Sequence, residues 1–154
     1  RMVQEYTSKF YMPNFKTAQA MRADHMKSGL EFAAWREKVI KQWRGVQVRS
    51  VQMPDQKIKT GVEVEVNAWV ALGDLTPDDV NVQLYYGSLT PRGEIGGVAD
   101  TLDMSPVGKG DHGTHHYRCK LVYQTSGERG VSVRVVPKHP YLHSPFGPGL
   151  ISWA

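Results

Sequence analysis

The apolar residues of this chain change period once, near Gly45. Before it they recur every three or four residues, the spacing of one helix face. From Val46 onward they alternate, the spacing of one strand face. A chain built this way places helices first and an antiparallel sheet structure second. The expected organisation is a helical segment over residues 1–45 followed by a β-sandwich over residues 46–154.

Within the helical part, Met2, Val3, Tyr6, Phe10 and Tyr11 share one side of a helix that Pro13 ends. No capping residue precedes this helix, so Arg1 reads as a cut end. Asn14 can cap a second helix through Phe15, Ala18 and Met21 to about Lys27. Ser28 and Glu31 have the spacing of a capping box for a third. Phe32, Trp35, Val39 and Trp43 then form a stripe along it, and Gly45 stands where the helix should stop. Covering two indoles and a phenyl ring at about 25 cal/mol per Å² is worth several kcal/mol, so this candidate docking stripe needs a partner surface. The surface expected for it is protein outside this chain.

In the β part, Val62, Val64, Val66, Ala68, Val70 and Leu72 share one strand face, with Glu63, Glu65, Asn67 and Trp69 on the other. Leu75 to Asp79 makes a turn. Val80, Val82, Leu84 and Tyr86 form the next inward set, and Tyr117, Cys119, Leu121 and Tyr123 another, with Val131, Val133 and Val135 after them. With a weaker strand over residues 94–104, and strands at 46–53 and 149–153, this gives about seven short strands with no helix between them. The pattern favours an immunoglobulin- or fibronectin-like antiparallel sandwich over a parallel sheet, which would need long crossover connections.

Charge and chemistry narrow the function. The first 49 residues hold 10 Lys and Arg against 4 Asp and Glu, while the other 105 hold 9 against 11. The positive excess is therefore N-terminal, but Glu5, Asp24, Glu31 and Glu37 interrupt it, which favours a solvated helix face over a nucleic-acid surface. No apolar run is long enough for a membrane helix. The lone Cys119 excludes an intrachain disulfide, sits in a core position and suits a cytoplasmic protein. Asp111, His112, His115 and His116 lack the spacing of a metal site, because adjacent histidines on a strand point to opposite faces. His139 and His143 read as packing residues of a proline-rich tail. Glu63, Glu65, Asp78 and Asp79 read as surface charge rather than an acid–base pair. Gly93, Gly96 and Gly97 match no dinucleotide fingerprint, and Gly108, Lys109 and Gly110 match no P-loop. No catalytic, cofactor-binding or metal-ligating residue is assigned. The remaining anomaly is aromatic: Trp69 and Tyr85 point outward on consecutive strands, as a pair that could dock a neighbouring domain or subunit, stack on a sugar ring, or pack across strands.

Five strings occur together here in order: RMVQEYTSKFYMP at 1–13, LEFAAWREKVIKQW at 30–43, LGDLTPDDVNVQLYYG at 72–87, SGERGVSVRVVPKHP at 126–140 and HPYLHSPFGPGLISWA at 139–154. In that combination the chain resembles the C-terminal portion of the short bacterial and archaeal α-glucan phosphorylases, glycosyltransferases of the glycogen phosphorylase type. The resemblance implies a parent enzyme that moves glucosyl units between α-1,4-glucan and phosphate, using pyridoxal phosphate held on a lysine. No lysine of this chain matches that motif, which lies upstream in the family. The resemblance thus implies a non-catalytic accessory region that packs on the catalytic body of the same polypeptide, or on another subunit of a homo-oligomer. Two alternatives stand beside it. A carbohydrate-binding module would hold polymeric α-glucan on Trp69 and Tyr85, and a freestanding adaptor would bind an acidic partner through its basic helices.

Overall fold

The computed structural model describes residues 26–54, 60–124 and 127–154. The two expected helices before residue 26 lie outside these. One helix, α1 (Lys27–Gln42), runs into a 3-10 turn (Trp43–Gly45) and then into eight strands. These are β1 (Gln47–Gln52), β2 (Glu63–Ala71), β3 (Val80–Leu89), β4 (Ile95–Asp103), β5 (Ser105–Lys109), β6 (Thr114–Val122), β7 (Arg129–Pro137) and β8 (Ser152–Trp153). They pair in two four-stranded sheets, ordered β1-β2-β6-β5 and β4-β3-β7-β8, with every pairing antiparallel.

The two sheets face each other across one core. Val66, Ala68 and Val70 of β2 and Tyr117, Cys119 and Leu121 of β6 meet Val82 and Leu84 of β3 and Val133 and Val135 of β7. This is the sandwich that alternation predicts, for an alternating strand has one apolar face and must bury it against another layer. Val62, grouped with the inward set, is half exposed because it precedes β2. The stretch after Met104 begins as strand β5 on the sheet edge. All five of its residues are exposed, so no apolar alternation announces it.

Two local expectations fail at the helix. Ser28 and Glu31 do not form a capping box: α1 starts one residue before Ser28, behind Met26 in a left-handed conformation (φ 64°), with no side-chain cap. Gly45 does follow the helix, but its task is close approach. A Cβ there would lie 3.3 Å from the Cα of Gly73, which itself has φ +60°, so two chain reversals cross where only glycines fit.

The larger correction concerns the stripe. Val39 and Trp43 are buried members of the sandwich core, and Trp35 packs against that core. Phe32 stacks on Trp35 at 5.6 Å and lies 4.9 Å from His139 and 6.3 Å from Tyr141. The surface that covers Phe32, Trp35, Val39 and Trp43 is this chain's own sandwich and its own C-terminal tail, rather than protein outside it. Burying the stripe locally satisfies the same hydrophobic demand without a second molecule.

Candidate functional site

Three surface features have the side-chain chemistry to recognise something. The first is the junction between α1 and the sandwich. Thr76, Pro77 and Asp79 form a capping box at a 3-10 turn (Pro77–Asp79), where the Asp79 carboxylate accepts hydrogen bonds from the Thr76 backbone N–H and hydroxyl, both at 2.9 Å. The same carboxylate accepts from Trp35 Nε1 and from Lys38 Nζ, each at 2.9 Å. Asp79 is thus a buried hub between elements 41 and 44 residues apart in sequence, not the surface charge that its turn position suggested. Burial alone would raise its pKa. The hydrogen bonds from Lys38 and Thr76 outweigh that and hold the carboxyl below its ordinary value. His139 packs at a tilt on Trp35 with ring centroids 4.5 Å apart, and burial lowers its pKa against the opposing pull of Asp79. His139 packs among Phe32, Trp35 and Tyr141, and the cluster joins α1 to the C-terminal tail.

The second feature lies on the outer face of the sheet β4-β3-β7-β8. Registers place Asp103, Gln83, Arg134 and Trp153 in one row across it. Arg134 Nε donates to Gln83 Oε1 at 3.0 Å, and Gln83 Nε2 donates to Asp103 Oδ1 at 2.8 Å. The Arg134 guanidinium sits 5.3, 5.1 and 5.6 Å from the rings of Tyr85, Phe146 and Trp153. Cation–π attraction in this geometry fixes the rings around the charge.

The third lies on the outer face of the other sheet, where Ser50, Trp69, His116 and Gly108 form a row. His116 stacks on the Trp69 indole at 4.8 Å with the planes 7° apart. Its Nε2 meets Asn67 Oδ1 at 2.7 Å, Asn67 Nδ2 donates to Glu65 Oε1 at 3.1 Å, and Glu65 faces Arg118 at 3.5 Å. A cleft of about 400 Å³ opens beside Trp69.

Trp69 and Tyr85 therefore belong to opposite faces of the sandwich and cannot form one platform. The turn at 72–79 carries the chain from one sheet to the other, burying Leu72 and Leu75 on the way, so β2 and β3, consecutive in sequence, lie in different sheets. Sequence reasoning also missed Arg134, Phe146 and Trp153. Arg134 reads as an ordinary outward residue of its strand, and Phe146 lies outside any strand pattern.

Among the described residues no three His, Cys, Asp or Glu side chains gather as a metal set, and no helix is long and apolar enough to cross a membrane. Cys119 is buried, and burial pushes its thiol up to about 11. Since the thiolate is the reactive form, the folded chain should resist a thiol-specific reagent at neutral pH and react promptly in denaturant. Fast labelling of the native chain would show that the strand opens locally.

The family model described as the glycogen phosphorylase C-terminal domain matches residues 43–154. The chain belongs to this family. Its members' resemblance extends over the whole sequence: the maltodextrin phosphorylase of Thermococcus litoralis is 32% identical over 99% of the chain, and the glycogen phosphorylase of Mycobacterium tuberculosis is 27% identical over all of it. The chain spans only 18% of the length of each of these relatives. Among solved structures, the Pseudomonas fluorescens alkylpurine DNA glycosylase AlkC bound to DNA containing an abasic site analog aligns with 82% of the chain and 39% of its own. At 13% identity and a TM-score of 0.39, that likeness bears on neither fold nor function. The phosphorylase C-terminal domain thus includes Trp43, the last residue of the stripe, within its matched region.

Proposed function

We propose that this phosphorylase C-terminal domain is a non-catalytic accessory region that packs on the catalytic body of an α-glucan phosphorylase, or on a second subunit of a homo-oligomer. The parent would be a cytoplasmic enzyme that moves glucosyl units between an α-1,4-glucan and phosphate. The observation that carries this reading is the match over residues 43–154 in a chain less than a fifth as long as its relatives. The division into a helical segment over 1–45, the end of the catalytic body plus a connector, and an accessory sandwich over 46–154 belongs to the same proposal.

A face of α1 supports it. Leu30 and Ile40 are 68% and 49% exposed and fall, with Ala33, three or seven residues apart. They lie on the side of the helix away from Trp35 and Val39, with Glu37 among them. With one face spent on its own sandwich, the helix still presents a second, which suits attachment to a larger body.

The family's pyridoxal phosphate would need a lysine in a closed pocket beside a phosphate cradle. The residues here do not fit it: Lys38 is ion-paired to Asp79 at the helix junction and Lys120 to Glu63 on open surface. The cofactor accordingly belongs to the catalytic body in this proposal.

Co-purification of the 154-residue chain with a separately produced catalytic body of an α-glucan phosphorylase tests the reading. Association is expected, and Leu30→Asp with Ile40→Asp should abolish it while leaving the sandwich folded. Failure to associate, or phosphorolysis of glucan by the chain alone, would overturn it.

A further inference from the structure

We propose that the cleft beside Trp69 binds a short stretch of oligosaccharide. That the sugar is an α-1,4-glucan rests on the phosphorylase reading above; that the cleft suits a sugar rests on its own chemistry.

The indole is flanked unequally. On one side His116 covers it face to face; on the other stands Ser50, whose small side chain leaves the space open among the described residues. The cleft is lined by Trp69 and Ser50 but not by His116, so it lies on the uncovered side. A pyranose ring has a face of C–H bonds with slight positive charge, and the face of an indole carries the complementary negative quadrupole. Around this floor stand Arg49, Gln52, Asp111 and His112. Arg49 donates, Asp111 accepts, and Gln52 and Ser50 do either, which is the mixed set that vicinal hydroxyls require. A hydrocarbon ligand would strand these polar groups, and a phosphate-bearing one would meet the Asp111 carboxylate.

The site is held in place before any ligand arrives. His116 is fixed by Asn67, which Glu65 and Arg118 fix in turn, so the indole cannot swing toward that side. The loop carrying Asp111 and His112 rests directly on the indole. A Cβ at Gly110 would lie 2.8 Å from Trp69 Cδ1 and 2.6 Å from Thr114 Oγ1, and the Thr114 hydroxyl ties the loop by donating to the Asp111 carbonyl at 2.7 Å. Glycine at this position lets the rim close on the floor. Preorganisation of this kind reduces the ordering cost that weakens most sugar contacts.

Titration of the 154-residue chain with maltoheptaose, followed by amide and indole NMR shifts, is the test. A Kd on the order of 1 mM is expected, with shifts centred on the Trp69 indole and residues 110–114. Trp69→Ala should weaken binding by about tenfold or more. Ser50→Tyr, made at an exposed position of β1, covers the open side of the indole while keeping Trp69 itself, and should abolish binding in a chain that still folds. Tyr85→Ala, on the opposite sheet, should leave binding unchanged. Absence of shifts at about 10 mM sugar, shifts centred on Tyr85 and Trp153, or normal binding by Ser50→Tyr would overturn the site. Equal binding of cellohexaose would overturn the α-glucan assignment. A chain that fails to associate with the catalytic body but still binds maltoheptaose would overturn the accessory reading and leave the cleft standing.

Discussion

Replacing Asp79 with alanine is expected to destabilise the folded chain by about 3 kcal/mol, because one carboxylate joins three elements through hydrogen bonds to a charged acceptor. Its loss leaves the Trp35 indole N–H without its acceptor, removes the cap of the Pro77–Asp79 turn and frees Lys38. Lys38 is largely solvated, so its share of the loss is small, and most comes from Trp35 and the Thr76 cap. A urea midpoint shifted down with unchanged slope is the signature. Asp79→Asn should recover only part of the loss, since its single amide oxygen can replace either the oxygen that accepts from Trp35 or the one that accepts from Thr76 and Lys38, not both. A shift of less than about 1 kcal/mol for the alanine variant would mean that the junction contributes little.

The same residue sets the acid behaviour. Its folded pKa lies below the unfolded value, so its stabilisation is complete above about pH 4 and is lost as pH falls through the folded value. His139 acts earlier and with the same sign. Its folded pKa is lowered by burial, so the unfolded chain takes up protons first and stability begins to fall below about pH 6.5. The wild-type chain should therefore lose stability in two stages on acidification, and Asp79→Asn should lack the second. Equal acid sensitivity of the two chains would contradict the role given to this carboxylate.

Trp43→Ala is expected to cost about 4 kcal/mol, in the range for removing an indole from a packed core. Trp43 is 9% exposed and joins Val39 and Val46 in the cluster that continues into both sheets. Its Nε1 has no hydrogen-bond partner among the described residues, so the indole contributes through packing alone. Trp43→Phe should for that reason retain much of the stability. If Trp43→Ala unfolded only α1, with far-UV loss and an unchanged sandwich, the helix would be an appendage rather than part of the core. A single cooperative transition, shifted as a whole, is the result this packing demands.

Trp69 marks both the reach and the edge of what the sequence discloses. Alternation put it on the outer face of its strand, correctly, because Glu63 and Glu65 share that face and the valines between them are buried. Alternation also put Tyr85 outward, correctly. It could not say that the two faces belong to different sheets, since that depends on where the turn at 72–79 delivers the chain. Nor could it give Trp69 its neighbours. Ser50, His116 and Asp111 come from 19 to 47 residues away, and only the registers of β1 and β6 bring them together. Arg134, Phe146 and Trp153 escaped for the same reason.

By itself, the sequence of amino acids determined the class of fold, the buried and solvent faces of β2, β3, β6 and β7, the Thr76–Asp79 turn, and the family. All of these follow from short-range periodicity, local capping chemistry or ordered strings of residues. The tertiary structure alone decided that the aromatic stripe of α1 closes on the chain's own sandwich, that Asp79 is a hub, and that the two outward aromatics face apart. Each is a contact between distant segments, and hydrophobic burial is non-directional: a stripe states how much surface must be covered, and packing selects what covers it.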